Sequence, residues 1–530
     1  MIGDRKRIEG TAIGRRTFLG TIPAVGAWML SPAHAAAPER AGRYDSSCLP
    51  SEEQLGQWLR MLHAMGPVRP AGTPAARRFE DWIAETVAAM GFSVERQSYR
   101  LTAWECDLER DCAVMLHENG GGDVALPPVA YYPYAASTRG REPAVGTLLH
   151  AGTGEESVAA LVAATAPDVL ARSIVVVDLP VAAGGSRILP EFYPESFPAE
   201  LPPAPAVPSP SSQVGKAAME AVDGKCRGLV LCYTNVSDDA ARYTYLPFDY
   251  THRPTPALWV GRESAARLRA APAGSRISLR CDAVLTPDAH SDTLIATLPG
   301  MTDEVMLLTT QTDGPNEVNE NGALGLIALA GHAAAQPREQ RRRTLVLSFP
   351  TGHYAIGAIA DPVTGSGQLA MTHGVVRTHP EMIARVKAHI ALEQLGAMDW
   401  QDMDNGWQAT GLPAREFWHV TPGANEPLRR IFTAATRGLD PRWSRSSVIR
   451  RNFPPGEGGA LRALGIPGFG LLGVPAYFFR ADPRGVIDKT NPRVMRNQVE
   501  IATRMMVLMD GLRAEQLRGE EPITQAELML

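Results

Sequence analysis

Residues 304–353 read EVMLLTTQTDGPNEVNENGALGLIALAGHAAAQPREQRRRTLVLSFPTGH. Two short apolar runs enclose a longer one, which predicts a strand from Glu304 to Thr310, a helix from Ala323 to Ala335 and a strand from Thr344 to Phe349. Buried strands that alternate with helices are typical of an α/β fold with a mixed, mostly parallel sheet flanked by helices. In such sheets the ligand crevice lies beyond the carboxyl ends of the strands, so the polar residues after each run are the informative ones.

The same alternation continues on both sides of this stretch. Helix-period apolar residues and short β-type runs predict two helices and a strand near the start, one strand just upstream, and two strands and a long helix downstream. In chain order these elements are Glu53–Met65, Ala75–Met90, Ser93–Tyr99, Thr293–Leu298, Lys387–Leu392, Gly468–Gly473 and Pro492 to about Leu517.

A middle region from Tyr131 to Ala283 has a different texture, with short β-type runs and a proline-dense loop from Pro194 to Pro210. This change predicts an inserted β-rich domain over residues 131–283, within an α/β domain formed by residues 45–130 and 284–520. The strands predicted inside the insert are Val145–His150, Ser173–Leu179, Arg227–Tyr233 and Ala257–Val260.

Composition excludes several classes of protein. The 530 residues are 45% hydrophobic and 21% charged, as in globular chains. A net charge of −5 provides no broad cationic surface for a phosphate backbone, so no nucleic-acid partner is expected. The triplet Arg341–Arg343 precedes an apolar run and is predicted to be the solvated start of a strand.

Residues 1–35 are predicted to be a signal peptide. Arg15, Arg16, Thr17, Phe18 and Leu19 precede a short apolar stretch and a small-residue exit at Ala35, which is the pattern of a twin-arginine signal. We therefore expect export to the periplasm or the extracellular space, with no integral membrane segment in the mature chain.

The six cysteines can form disulfides in an exported protein. Cys106 and Cys112 are close enough in sequence to close a hairpin. Cys226 and Cys232, as the ends of one extended strand, would lie roughly 20 Å apart and are predicted to be core thiols.

Polar side chains follow four predicted strands and define a candidate pocket. Asp313, Glu320 and Glu393 would converge on one crevice if these strands are parallel neighbours. Read singly, Glu320 also suits a cap of the helix near Ala323, and His353 also suits an ordinary loop position. The full set of pocket candidates is Gln311, Asp313, Glu320, Thr351, Gly352, His353, Glu393, Glu457, Tyr477 and Phe478.

The ordered set of segments resembles the co-catalytic zinc exopeptidases that carry a protease-associated domain, a group with bacterial aminopeptidases, glutamate carboxypeptidase and the transferrin receptor ectodomain. Gly66–Pro74 is similar to the family's early loop, and Asp292–Gly300 is similar to the strand before its first metal loop. The resemblance covers the chain from about Ser51 to the last helix. It implies the exopeptidase fold with an inserted protease-associated domain.

In that family five His, Asp and Glu side chains hold two zinc ions, and a glutamate deprotonates the bridging water. This chain departs from that pattern. The resemblance places Gln311 and Phe478 where the family has histidine ligands, and Glu320 and Glu393 where it has aspartate ligands. It places Thr351 at the glutamate that acts as the base and Gly352 at the adjacent glutamate ligand. The neighbouring residues Asp313, Tyr477 and Asp482 match the family pattern. Phenylalanine and glycine carry no donor for zinc. The expected cofactor is therefore none: the dizinc site is predicted to be absent, and a hard cation such as calcium or manganese on the carboxylates is the alternative.

The resulting prediction is an exported homologue of the family without a dizinc centre, a non-catalytic protein that binds a peptide-like small ligand or a protein partner. The alternative is a repurposed or still active hydrolase that cleaves peptide or amide bonds with Glu320, His353 and Glu393 as acid/base candidates. A true ligand set at other residues would leave it an active zinc exopeptidase.

Overall fold

The stretch 304–353 forms the middle of a nine-stranded mixed sheet in the computed structural model. The structure describes residues 43–118, 122–181, 191–192, 213–359, 371–403, 406–422, 424–443, 446–450 and 456–530. The predicted signal peptide and the proline-dense loop from Pro194 to Pro210 lie outside the described residues.

The strands, in chain order, are β1 Ser93–Glu105, β2 Cys112–His117, β3 Asp123–Ala125, β4 Pro128–Tyr131, β5 Ala144–Thr153, β6 Ser173–Leu179, β7 Glu191–Phe192, β8 Gly228–Tyr233, β9 Ala257–Val260, β10 Arg276–Cys281, β11 Val284–Leu298, β12 Val305–Thr309, β13 Thr344–Phe349, β14 Val386–Ala391, β15 Met398–Met403, β16 Gly406–Pro413, β17 Glu416–Val420, β18 Ser446–Arg450 and β19 Gly468–Gly473.

The helices are α1 Glu52–Ala64, α2 Pro74–Ala89, α3 Leu108–Asp111, α4 Glu155–Ala164, α5 Pro167–Leu170, α6 Lys216–Val222, α7 Asp238–Ala241, α8 Arg262–Ala270, α9 Glu317–Glu320, α10 Gly322–Ala335, α11 Met371–Thr378, α12 Pro380–Arg385, α13 Asn425–Ala435, α14 Gly459–Ala463, α15 Pro492–Gly511 and α16 Ala514–Arg518. Short 3₁₀ turns occur at Ser46–Cys48, Arg338–Gln340, Pro441–Trp443, Ile487–Lys489 and Ala526–Leu528.

The larger sheet has the order β1-β11-β13-β12-β14-β19-β17-β18-β7. Its central strands β13, β12, β14 and β19 are parallel, β17 and β18 are parallel to each other, and the remaining pairings are antiparallel. The predicted α/β class with a mixed sheet is therefore confirmed. Because the central strands run in one direction, their carboxyl ends all open on the same edge of the sheet.

Alternating side chains bury both faces of this sheet. Met306, Leu308 and Leu347 belong to a core that includes residues of α1, α2, α10, α13 and α15, whereas Leu307 and Val346 pack toward Val375, Met382 and Leu461 of α11, α12 and α14. Since each buried side chain of this size contributes roughly 1.5–3 kcal/mol, the two layers together hold the sheet in place.

A second sheet has eight strands in the order β3-β2-β10-β5-β6-β8-β9-β4 and spans Cys112 to Cys281. Its parallel core β5-β6-β8-β9 also buries both faces, with Val176 and Val230 on one side and Val175 and Leu229 on the other. The division into a host domain and an insert at residues 131–283 stays a prediction.

Two strands are longer than their sequence patterns indicate. β1 and β11 pair antiparallel from Ser93↔Thr297 to Glu105↔Val284, with a register shift between Leu101 and Ala103. The added part of β11 is largely exposed, whereas the added part of β1 buries Leu101, Ala103 and Trp104. Neither part carries a long continuous apolar run, and the two strands extend by pairing with each other.

Arg343 is not solvated, and the prediction for the Arg341–Arg343 triplet is wrong at this residue. Its side chain is buried and donates hydrogen bonds of 2.8 Å to the carbonyl oxygens of Met509 and Leu512. These carbonyls end α15, where a helix presents acceptors and a partial negative charge, so a guanidinium suits the position.

The first two helices position the loop between them, which contributes to the site. α1 begins after Ser51, whose hydroxyl accepts from the Gln54 N–H at 3.2 Å, and α2 begins after Thr73, whose hydroxyl accepts from the Ala76 N–H at 3.3 Å. Pro74 at the first position of α2 fits the helical backbone without needing a donor. Among the helices of the described residues, none is long and apolar enough to cross a bilayer.

Candidate functional site

The candidate residues meet at the carboxyl edge of the central parallel strands. Gln311 and Asp313 follow β12, Thr351 and His353 follow β13, and Glu393 follows β14. All five residues are at most 5% exposed. The carboxyl ends of these strands therefore lie together, as expected, but the polar groups there are buried in the interior.

Asp313 holds the loop after β13. Its two carboxylate oxygens accept hydrogen bonds from the N–H groups of His353 at 3.0 Å and Tyr354 at 2.8 Å. Burial raises the pKa of Asp313 to about 6, although these two hydrogen bonds and the nearby charge of His353 favour the carboxylate. Gly352 has φ of 86°, a left-handed conformation that favours glycine at this turn.

Glu320 forms a fully buried ion pair with Arg69, a residue that the sequence did not single out. Arg69 also donates to the Leu62 carbonyl at 3.0 Å, and its backbone is joined to that of Gly314 by two hydrogen bonds of 2.8 and 3.0 Å. Burial raises the pKa of Glu320 to about 8, and the guanidinium charge opposes that shift. Glu320 thus places a carboxylate against a cation of the chain itself.

The alternative role of Glu320 as a helix cap is wrong. Glu320 ends α9, and α10 starts after Asn321, whose side chain is held by Leu395 instead: its Oδ1 accepts from the Leu395 N–H and its Nδ2 donates to the Leu395 carbonyl, both at 2.7 Å. The carboxylate of Glu320 pairs with Arg69, and α10 has no side-chain cap hydrogen bond.

His353 and Glu457 form a second buried pair. His353 Nδ1 lies 2.5 Å from Glu457 Oε1, and Glu457 Oε2 accepts from the Thr372 N–H at 2.9 Å and the Thr372 hydroxyl at 2.6 Å. Burial alone would lower the pKa of His353, but the hydrogen bond and charge of Glu457 outweigh it and raise that pKa. The same contacts outweigh burial at Glu457 and lower its pKa, so the pair favours imidazolium and carboxylate.

Glu393 joins this pair through the backbone. Its Oε1 accepts from the Glu457 N–H at 2.6 Å, and its Oε2 accepts from the Gln394 amide at 3.3 Å. Burial raises the pKa of Glu393, and the charge of His353 works against that shift. Gly456 has φ of 74°, and a Cβ built there would lie 2.4 Å from Glu393 Oε1, so the close approach requires glycine.

Thr351 lies in a hydrogen-bond network separate from that of Glu393 and Glu457. Its hydroxyl contacts Ser291 Oγ at 2.7 Å, and Ser291 donates in turn to Glu80 on α2. Burial raises the pKa of Glu80 to about 8 despite the Ser291 hydrogen bond. Glu80 and Ser291 were missed by sequence reasoning because they belong to a helix and a strand far away in the chain.

Aromatic side chains cover the pocket. The Phe248 ring lies 5.0 Å from the His353 ring and 5.7 Å from the Tyr354 ring, and the Tyr354 hydroxyl donates to Asn319 Oδ1 at 2.6 Å. The Phe478 ring packs edge-on against Phe479 at 4.4 Å. The rings of Phe248 and Tyr354 both lie against His353, which is buried.

Tyr477 and Gln311 have structural partners. The Tyr477 hydroxyl donates to the carbonyls of Met398 at 3.0 Å and Lys489 at 2.8 Å, so it ties loops together. The Gln311 amide donates to the Asn319 carbonyl at 2.8 Å.

His63 of α1 pairs with buried Glu317 of α9, and the other oxygen of Glu317 accepts from the Val486 N–H at 2.8 Å. The sequence carried no signal for His63 or Glu317, because α1 and α9 are brought together only by packing.

With this geometry in view, the fold can be compared with solved structures. The chain is similar to the aminopeptidase of Aneurinibacillus sp. strain AM-1, with a TM-score of 0.55 and 13% identity over 87% of this chain and 94% of that one. It is also similar to the zinc aminopeptidase of Bacillus subtilis, with a TM-score of 0.57 and 13% identity over 86% of this chain and 95% of that one.

A third similar structure is the peptidase M28 precursor of Shewanella amazonensis SB2B, with a TM-score of 0.56 and 16% identity over 87% of this chain and 96% of that one. The chain has the zinc-aminopeptidase fold. The resemblance inferred from the sequence is thereby confirmed at the level of the fold. No protein-family model and no curated protein matches the sequence.

The zinc-aminopeptidase fold implies a pair of zinc ions, and the donors present here do not fit that pair. Phe478, Thr351 and Gly352 supply no imidazole or carboxylate, and Glu320 is engaged by Arg69. Within the described ranges, three or more His, Cys, Asp or Glu donors come within 4.8 Å of one another only at Cys106, Cys112 and Cys281. In the described part of the chain, the crevice acids thus show no such cluster of three donors.

Proposed function

We propose that this protein is a non-catalytic member of the zinc-aminopeptidase fold that binds a peptide-like ligand. The observation that carries the proposal is the buried Arg69–Glu320 pair, with a guanidinium beside the carboxylate that the resemblance aligns with the metal-bridging residue. A fixed guanidinium compensates the charge that zinc would otherwise compensate, but it activates no water.

A cavity of about 200 Å³ supports a binding role. It lies beside Arg69, because Val68 and Pro70 line it, and the rings of Trp104, Tyr131 and Tyr243 form much of the remaining wall. Ligand pockets for drug-sized molecules are about 300–1,000 Å³, so this one suits a single apolar side chain of a longer ligand. Aromatic walls supply the contact area that such a side chain needs.

The first experiment is a metal and activity assay on mature protein purified without chelators. We expect fewer than two zinc ions per chain and no turnover of aminoacyl or acidic dipeptide substrates, with or without added calcium or manganese. Two zinc ions per chain together with turnover would contradict the proposal.

The second experiment tests binding. A peptide library screened by thermal shift should contain sequences that stabilise the protein, and Val68→Trp should abolish that shift by filling the cavity. Val169→Trp is the matched control, because Val169 is 39% exposed and does not line the cavity. If both variants lose binding, or if neither does, the ligand does not bind in this cavity.

A repurposed hydrolase is the second candidate, and the His353–Glu457 pair favours it. An imidazole oriented by a carboxylate is an arrangement that general acid–base catalysts use, and the imidazolium favoured here suits a general acid. If the substrate screen shows turnover, Glu457→Gln should reduce it by about 100-fold or more, in line with the contribution of general acids and bases. Turnover that Glu457→Gln leaves unchanged would exclude this pair.

We also propose export by the twin-arginine route and an inserted protease-associated domain. The motif from Arg15 to Leu19 supports export, and the second sheet supports the insert. Replacing Arg15 and Arg16 with lysine should leave the precursor in the cytoplasmic fraction. Export of that variant at the normal level would contradict a twin-arginine signal.

A further inference from the structure

Three cysteines from separate parts of the chain meet beside the second sheet. Cys106 follows β1, Cys112 begins β2, and Cys281 ends β10. Their sulfur atoms all lie within 4.8 Å of one another, and Cys106 Sγ and Cys112 Sγ are 3.5 Å apart. All three are free thiols, with Cys112 and Cys281 buried and Cys106 half-buried. The sequence-based idea of a Cys106–Cys112 hairpin did not include Cys281.

The backbone holds these cysteines rigidly in place. Cys112 and Cys281 are direct partners in the antiparallel pairing of β2 with β10. Thr138 fixes Cys281 from both sides: its hydroxyl accepts from the Cys281 N–H at 2.9 Å and its N–H donates to the Cys281 carbonyl at 2.8 Å. The strand pairing and these two hydrogen bonds limit how far the sulfur atoms can move apart.

The residue after Cys106 is also fixed. The Asp107 carboxylate accepts from the N–H groups of Glu109 and Arg110 at 3.0 and 3.1 Å, and the Asp107 N–H donates to Asp111 Oδ2 at 3.0 Å. α3 is therefore capped directly behind Cys106, which orients the loop that carries this thiol. The three sulfur positions are all set by ordered backbone.

The spacing suits a metal ion. A Zn–S bond of about 2.3 Å places tetrahedral sulfur ligands about 3.8 Å apart, and trigonal ligands at the same bond length lie about 4 Å apart. The observed upper limit of 4.8 Å and the 3.5 Å pair bracket these spacings, so an ion could enter with small side-chain rotations. Thiolate donors select soft ions such as zinc and cuprous copper.

The cluster also has an access path and room for one more ligand. Cys106 lines the 200 Å³ cavity together with Glu105 and Asp107, and this cavity opens beside the loop from Pro67 to Pro70. A water molecule in the cavity can reach the side of the cluster where Cys106 lies. Three thiolates and a water complete a tetrahedral zinc site, whereas cuprous copper needs the three thiolates alone.

We propose that Cys106, Cys112 and Cys281 form a site for one thiophilic metal ion, Zn²⁺ or Cu⁺, separate from the crevice of the zinc-aminopeptidase fold. The site is distinct from a dizinc centre in its ligands, in its position on the second sheet, and in holding one ion rather than two.

The test uses the full chain, reduced and stripped of metal under anaerobic conditions. Titration with Cd²⁺ should produce sulfur-to-metal charge-transfer absorption that saturates at one ion per chain, a signal that carboxylates do not give. Competition of Zn²⁺ and of Cu⁺ against Cd²⁺ then decides which ion the site prefers, and retention after desalting is measured by elemental analysis.

Cys106→Ser should weaken binding by more than about 100-fold, since removing even a group that supports a ligand costs about 10–100-fold. Cys226→Ser is the matched control, because Cys226 is also half-buried but lies outside the cluster, and it should bind like the natural chain. Alkylation gives a second readout that needs no variant: bound metal should slow the reaction of the half-buried Cys106, while Cys48 and Cys226, which are also half-buried, should react at an unchanged rate.

Three results would overturn the proposal. They are an absent charge-transfer band, equal metal affinity in Cys106→Ser and Cys226→Ser, and a Cys106–Cys112 disulfide in protein whose thiols are blocked at lysis. If the metal content of the purified protein falls to zero in Cys106→Ser, all of the bound metal was in the cysteine cluster and the crevice holds no zinc. That result supports the metal site and leaves the proposed non-catalytic function intact.

Discussion

The crevice and the cysteine cluster are two sets of potential metal ligands that the same chain treats in opposite ways. In the crevice, Glu320 lies against Arg69 and Glu457 against His353, so each of these two carboxylates faces a cationic side chain, although Glu320 Oε2 accepts no hydrogen bond. In the cluster, three sulfur atoms lie close to one another. A metal site requires donors that converge, and a carboxylate paired with a cation of the chain is a weaker donor for it.

The largest expected effect tests whether the crevice depends on its internal cation. Arg69→Met should lower the free energy of unfolding by about 3–5 kcal/mol, because it leaves the Glu320 carboxyl buried without its partner. Chemical denaturation measures this. Arg172→Met, which breaks an exposed pair with Asp168, is the control and should cost less than about 1 kcal/mol.

The double variant Arg69→Met with Glu320→Gln sharpens this prediction. It should recover part of the lost stability, because no ionisable carboxyl then lies buried without its partner. Equal costs for Arg69→Met and Arg172→Met would show that the pair does not hold the crevice together.

The next effect is a pH dependence of stability from Glu80. Its folded pKa of about 8 lies above the ordinary value of 4.5, so the folded state retains a proton that the unfolded state loses. Stability should therefore fall as the pH rises from about 4.5 and stop falling above about 8. Glu80→Gln should reduce the change in the free energy of unfolding over this pH range by roughly 2–4 kcal/mol. Unfolding measured between pH 5 and pH 8 checks this, and an unchanged slope would contradict the raised pKa.

The smallest expected effect is the restoration of one family-type ligand. Phe478→His places an imidazole where the resemblance expects one, yet zinc binding should not change, because Arg69 still occupies Glu320. Zinc content of Phe478→His, measured in the Cys106→Ser background, should remain below one ion per chain. Two ions in that variant would show that a single ligand was all that the crevice lacked.

Much of the fold was predictable from local pattern. The bounds of β6, β9, β13 and β19 match their predicted strands, and α10 and β12 differ by one residue at their ends. Such elements are buried on both faces, so their apolar runs are continuous and end sharply. The outer halves of β1 and β11 were missed because they pair with each other across a long stretch of chain, and the outer half of β11 is largely exposed.

The site was predictable only in part. The strand-end residues from Gln311 to Glu393 were correctly placed at one edge of the sheet, because parallel strands align their carboxyl ends. Arg69 was not among the candidates, and Glu457 was a candidate without a predicted partner, since Arg69 is 251 residues from Glu320 and Glu457 is 104 residues from His353. No sequence spacing reports contacts of that separation.

By itself, the sequence determined the α/β class and the order of the strands along the chain, because hydrophobic period is a local property. The absence of zinc donors at Phe478, Thr351 and Gly352 stays a prediction that rests on the family resemblance. Tertiary structure alone decided that Arg69 neutralises Glu320 and that Cys281 joins Cys106 and Cys112. Both depend on folding, which brings distant segments within a few ångströms, where charge compensation and shared coordination take effect.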